Sequence, residues 1–111
     1  MRSDPKIISI NDLEKELDSI RKNSKTTIVQ CHGVFDLMHI GHIRHFEEAK
    51  ALGDILVVTV TPDHYVNKGT NRPAFSEYLR AEVIAALDCV DYVAINQWPT
   101  AVEAISILKP N

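Results

Sequence analysis

Hydrophobic residues recur at helical spacing, gather into continuous runs, and then return to helical spacing, and that alternation predicts the order of elements. Between Asn11 and Lys22 the apolar positions are Leu13, Leu17 and Ile20, one stripe of a 3.6-residue repeat, and Asn11 with Glu14 has capping-box spacing. A helix is expected there, packed on the edge of a sheet and carrying no chemistry. Thr26 to Cys31 reads as a first strand, and the loop Gly33 to Met38 leads into a helix from about Ile40 to Leu52 that Gly53 terminates. Asp54 to Val60 is a continuous apolar run, the mark of a strand covered on both faces. Thr61 to Phe75 holds Pro62, Gly69, Asn71 and Pro73 and has no period, so a mobile loop over the strand ends is expected. Helical spacing resumes from Ser76 to Asp88 at Leu79, Val83 and Leu87, and Val90 to Ile95 reads as a third strand. Thr100 and Glu103 form a second capping-box pattern ahead of Val102, Ile105 and Leu108, which predicts a last helix.

Strand, helix, strand in this order implies right-handed crossovers and a parallel sheet, hence a Rossmann-like α/β fold with flanking helices. In such folds the ligand lies beyond the carboxyl ends of the strands. Both the histidine-rich turn after the first strand and the loop after Val60 reach that edge.

At 111 residues the chain is expected to be one domain, residues 1–111, with a helical extension over 1–24 and a core over 26–95. The formal charge of −3 gives no basic stripe for nucleic acid, so any phosphate site has to be locally positive. His32 to Lys50 meets that need, with His32, His39, His42, Arg44, His45 and Lys50 set against Asp36, Glu47 and Glu48. Cys31 and Cys89 have no metal-knuckle or redox spacing and read as small buried hydrophobes in a reducing compartment. The opening residues lack the apolar core of a signal peptide, and no apolar run approaches the roughly 18 residues of a membrane span. A cytoplasmic protein with no membrane partner is the expectation.

The chemistry concentrates in Gly33-Val34-Phe35-Asp36-Leu37-Met38-His39-Ile40-Gly41-His42, where a strand gives way to a helix. A helix start carries unpaired N–H groups and partial positive charge, and imidazoles there add donors that can be cationic near neutral pH. His39 and His42 therefore read either as a clamp for phosphate oxygens or as helix caps. A zinc site built from His39, His42 and His45 is a third reading, though a spacing of six puts His39 and His45 on opposite sides of a helix. Asp36 can cap and Phe35 can fill the core while the same turn faces a phosphate, and Gly41 allows close approach to the backbone. Arg80 reads as a phosphate ligand or as a surface ion pair with Glu77 or Glu82, and Asp63 as a ligand contact or an Asx-type turn.

The ten-residue segment resembles the G-x-F-D-x-x-H-x-G-H signature of the cytidylyltransferase-like nucleotidylyltransferases. The resemblance extends through Glu48 to Asp54, Lys68-Gly69, Arg72-Pro73, Leu79 to Glu82 and Val90 to Val93, and is most similar to the heptose-phosphate and glycerol-3-phosphate members. It implies transfer of a nucleotidyl group from CTP or ATP, with Mg²⁺, to a phosphorylated sugar or polyol, with release of pyrophosphate. It assigns His39, His42 and Lys68 to catalysis, and Gly33, Val34, Phe35, Asp36, Gly41, Asp63 and Arg80 to nucleotide binding, with no metal ligand among the side chains. It also implies a homodimer, with Val90 to Val93 near the interface and Tyr92 and Trp98 as core or contact residues.

Members of that family continue through another strand and a helix with a Ser/Thr-rich motif, so a chain stopping at Asn111 is expected to be incomplete at its C-terminus. It is also expected to bind nucleotide more readily than it turns over. A non-catalytic nucleotide-binding or assembly module is the alternative. The letters His-Ile-Gly-His also occur in class I aminoacyl-tRNA synthetases, but a catalytic domain of that class needs a longer chain and a second lysine-rich loop.

Overall fold

A parallel sheet of three strands forms the centre, in the order β1-β2-β3: β1 is Ile28–Gly33, β2 Ile55–Val60 and β3 Tyr92–Ile95. The computed structural model describes residues 4–66 and 73–111. Helices α1 (Ile10–Asn23) and α4 (Val102–Leu108) cover one face, and α2 (Ile40–Ala51) and α3 (Glu77–Ala85) the other. The expected Rossmann-like fold is what these elements build.

Alternation along β2 explains the two layers. Leu56, Val58 and Val60 point into the layer under α2 and α3, where they meet Phe46, Ile84 and Val93, while Val57 points to Ile10, Leu13, Leu17 and Leu108 beneath α1 and α4. All four of these valines and leucines are fully buried, as the unbroken apolar run implied. Asp91 stitches the amino ends together: its carboxylate accepts from the Leu56 amide at 2.8 Å and from Lys50 Nζ at 2.6 Å.

Several boundaries differ from the sequence reading for identifiable reasons. The first helix is capped by Ser9, whose hydroxyl accepts from the Asp12 amide at 3.1 Å, and it begins before Asn11. It packs on a face of the sheet; the piece on the sheet edge is the segment before it, where Ile7 bridges Val93. The first strand runs two residues later than expected, so it carries His32 and Gly33 within the sheet. The second helix ends at Ala51 with Leu52 as its cap, and Gly53 does not adopt a left-handed conformation. Ahead of α4 no capping box forms: Thr100 lies one residue outside the cap position, where its hydroxyl accepts from the Val102 amide at 3.3 Å and its carbonyl from Asn96 Nδ2 at 2.8 Å.

Helix phases shift as well. In α3 the buried stripe is Arg80, Ala81, Ile84 and Ala85, while Leu79 and Val83 are 48% and 51% exposed. In α4 the buried residues are Ala104 and Leu108, and Val102 and Ile105 face outward.

The two sheet edges are unlike. On β3, Val93 donates to Lys6 O at 2.8 Å and accepts from the Ile8 amide at 3.0 Å. On β1, Asn111 alone among the described residues is seated, its amide on Ile28 O and its side-chain oxygen on the Ile28 amide, both at 2.8 Å.

Candidate active site

The carboxyl end of β1 opens into a turn whose backbone is held from behind. Gly33 O accepts from both the amide and the hydroxyl of Thr61, at 2.9 and 3.2 Å. Val34 O accepts from Arg80 Nη1 at 2.8 Å. In a planar trans peptide the N–H of the next residue points opposite to the carbonyl, so fixing these two oxygens aims the Val34 and Phe35 amides away from β2 and α3. Neither amide has a partner among the described residues. Phe35 sits at φ 52°, the left-handed region that costs a side-chain-bearing residue about 1–2 kcal/mol, and successive amides around such a residue form an anion-binding concavity.

The ring of Phe35 holds that conformation in place. It lies 5.1 Å from the Phe46 ring and 6.0 Å from His42, both edge-on, and it folds back over Gly33. A Cβ on Gly33 would stand 2.7 Å from Phe35 Cζ, so the glycine makes room for the ring that locks the turn.

His39 and His42 cap α2 reciprocally. The Gly41 amide donates to His39 Nδ1 at 3.0 Å, and the His39 amide donates to His42 Nδ1 at 3.1 Å. Each Nδ1 lends its lone pair to a backbone N–H, which puts the ring's own hydrogen on Nε2 at the opposite edge. The helix-cap and phosphate-donor readings are thus compatible: capping fixes the tautomer and leaves the Nε2–H edge of each ring for a second role. The ring centroids are 4.1 Å apart. The space expected to admit a ligand at Gly41 is taken by His39, because a Cβ there would stand 2.7 Å from His39 Cε1. His45 turns elsewhere, its Nε2 3.8 Å from Cys31 Sγ, and no three His, Cys, Asp or Glu side chains among the described residues are placed to hold a metal. Burial and the neighbouring Cys89 push the Cys31 thiol up, which disfavours the thiolate.

Asp36, Asp63 and Arg80 build the frame behind this turn. Asp36 is buried, and its two oxygens accept from the Ala74 and Phe75 amides at 2.8 and 3.0 Å. Arg80, 1% exposed, makes neither expected ion pair, with Glu77 or with Glu82. Its guanidinium binds Val34 O, Thr61 O and Phe75 O and pairs with Asp63 at 2.6 Å, while Glu77 accepts from the Asp63 amide at 2.9 Å. Four Arg80 hydrogen bonds are thus committed to the protein, which ties this guanidinium to the backbone of the turn and to Asp63. Lys68 lies outside the described residues.

Sequence reasoning missed the polar row behind the turn. Gln30 and His32 on β1, Thr59 on β2 and Thr61 just past its end form one row, with His32 Nδ1 2.8 Å from Thr59 Oγ1. Polar residues at every second position of two otherwise apolar strands were the available signal. Burial lowers the His32 pKa.

Comparison with known proteins agrees with this geometry. A family model described as cytidylyltransferase-like matches residues 30–111. The chain is 39% identical over 110 residues to the bifunctional protein HldE of Syntrophotalea carbinolica, covering 97% of this chain and 22% of that protein. Against the bifunctional protein HldE of Helicobacter pylori strain G27 the identity is 44% over 109 residues, covering 96% and 23%. The chain therefore spans about a quarter or less of the length of these relatives. Among solved structures, the lipopolysaccharide core biosynthesis protein of Thermoplasma volcanium superposes with a TM-score of 0.66 at 34% identity, covering 77% of this chain and 70% of that one. A glycine-Phe-Asp turn with outward amides, capped by the two histidines of an H-x-G-H helix start and matched over most of its length, makes this chain a member of the cytidylyltransferase-like family.

Proposed function

We propose that the protein is a nucleotidylyltransferase that moves a nucleotidyl group from CTP or ATP to a phosphorylated sugar or polyol. The observation that carries this reading is the pair of Val34 and Phe35 amides, unpartnered among the described residues, aimed by carbonyls held from behind, and followed directly in the chain by the His39–His42 helix cap. The reaction asks little covalent work of a protein. A phosphate oxygen of the acceptor attacks the α-phosphorus, the bond from that phosphorus to the bridging oxygen breaks, and pyrophosphate leaves. Fixed donors beside oxygens whose charge grows in the transition state supply most of the acceleration.

In this reading the Gly33–Asp36 turn receives phosphate, His39 and His42 donate to its oxygens, and Lys68, by its resemblance to the family's loop lysine, brings a cation. Asp36, Asp63 and Arg80 keep the turn in shape. Mg²⁺ enters as the triphosphate complex, held mainly by phosphate oxygens, since Asp36 and Asp63 already accept from protein donors. The name of the solved relative, a lipopolysaccharide core biosynthesis protein, supports a sugar-phosphate acceptor.

The reading includes a homodimer. Val90 and Val93 are buried, so the surface that favours association is the apolar groove lined by Phe35, Met38, Phe75, Leu79 and Val83. Sedimentation of Leu79→Asp against the unaltered protein tests it, and an unchanged mass would remove the groove from the interface. The reading also places the protein in the cytoplasm; no helix among the described residues is long and apolar enough to cross a membrane.

The deciding experiment is pyrophosphate release from CTP or ATP with Mg²⁺ and a panel of sugar and polyol phosphates, run on this chain and on the complete product of its reading frame. Turnover by the complete product with at least one acceptor is expected. Nucleotide binding without turnover on any acceptor would favour the non-catalytic module.

A further inference from the structure

Gly33 O can only accept, so the Thr61 hydroxyl hydrogen is committed to it at 3.2 Å. The Thr61 oxygen must then accept from His32, whose Nε2 stands 3.5 Å away, and this puts the ring hydrogen on Nε2. In a neutral ring the Nδ1 lone pair takes the Thr59 hydroxyl hydrogen at 2.8 Å, and the Thr59 oxygen accepts from Gln30 Nε2 at 3.1 Å. Each of these bonds then has one hydrogen, with the Gln30 nitrogen toward Thr59 and Gln30 Oε1 left buried without a partner among the described residues. The result is a one-way chain of hydrogen bonds from Gln30 through Thr59, His32 and Thr61 to the carbonyl whose peptide plane carries the Val34 amide.

We propose that His32 is a positioning residue for nucleotidyl transfer: through Thr61 it orients the Gly33–Val34 peptide and so aims the Val34 amide at the transferring phosphate. The proposal rests on the functional reading above. Thr59 is fully buried and Thr61 is 7% exposed, so water does not readily replace either link. The long His32–Thr61 contact is the adjustable one, and bonds of this kind commonly tighten only when the ligand is bound. Burial disfavours the charged imidazole, in keeping with a ring that needs one acceptor and one donor edge.

The test uses the complete protein with His32→Leu, Thr61→Val and the double variant. Each single change is expected to lower kcat roughly five- to tenfold, the worth of one hydrogen bond, with KM for both substrates nearly unchanged and no further loss in the double variant. His32→Gln, which offers an acceptor and a donor on a side chain of similar reach, recovers most of the rate. Nitrogen NMR of the His32 ring should report a neutral Nε2–H tautomer, and the Val34 amide should gain mobility in the Leu and Val variants but not in His32→Gln. An Nδ1–H tautomer, additive losses, or wild-type kcat in folded Thr61→Val would overturn the proposal. Should no acceptor support turnover, the functional reading fails, and the tautomer and the Val34 amide still decide whether His32 sets the turn.

Discussion

Gly41→Ala separates the two roles of the His39 ring. The new methyl would stand 2.7 Å from His39 Cε1 and 3.0 Å from Nδ1, closer than real Cβ contacts come, so the exposed ring has to swing away. Its bond to the residue 41 amide goes with it, at a cost toward the low end of the cap range, about 0.5–1 kcal/mol, because water reaches that amide. Alanine in a helix gains up to about 1 kcal/mol over glycine, which offsets the loss. Stability should therefore change by less than about 1 kcal/mol, or roughly 5 °C in melting temperature. Activity should not be spared. The Nε2–H donor moves by an ångström or more from where the cap holds it, and misplacement on that scale costs about a hundredfold in kcat. Thermal melts and pyrophosphate-release kinetics on the complete protein measure both quantities. An unchanged kcat with an unchanged melt would refute the argument that the cap positions His39 for chemistry.

His42→Asn keeps an acceptor near the Nδ1 position for the His39 amide but removes the Nε2 donor, so melting should hold while kcat falls by about 10²–10³; wild-type kcat would reduce His42 to a helix cap. Asp36→Asn leaves one of the Ala74 and Phe75 amides facing an NH₂ group, a local loss of about 1–3 kcal/mol that should appear as faster hydrogen exchange at both amides; unchanged protection would show that the carboxylate does not hold that segment. The folded-state pKa of His32 lies below its unfolded value of about 6.5, so the unfolded chain takes up the proton first, and stability is retained above that pH and lost as pH falls toward the folded value. Urea midpoints at neutral and mildly acidic pH should diverge more for the wild type than for His32→Gln, and parallel shifts would contradict the sign.

The parts of the fold written in local periodicity were legible. The Leu13–Leu17 stripe and the unbroken run into Val60 report burial directly, because each side chain's face follows from its position in the repeat. Helix α3 misled for a physical reason. Leu79 and Val83 look like its core face, yet α3 instead turns inward a charged residue and small neighbours, Arg80, Ala81 and Ala85, because the turns after β1 and β2 each supply a carbonyl to the guanidinium. No local pattern encodes partners 46 and 19 residues away. The candidate site divides in the same way. The glycine-Phe-Asp turn and the histidine pair are contiguous and could be read, whereas the way Thr61 and Arg80 hold its carbonyls depends on sheet register and a crossover. That both Nδ1 atoms would be occupied by backbone amides, leaving the donor at Nε2, could not be read from the spacing alone.

Among the described residues, the unlike edges of the sheet give the molecule an open side and a covered side. Ile7 closes β3, whereas beyond Asn111 the main-chain groups of Gln30 and His32 repeat the outward phase of Ile28 along β1. Any strand that joins therefore docks beside β1, where unpaired backbone groups act as a template. It arrives next to the polar row and the Gly33–Asp36 turn, so pairing at this edge is felt at the candidate site. Covalent continuation and an intruding foreign strand would compete for the same berth, which makes this edge the place where correct assembly and misassembly diverge.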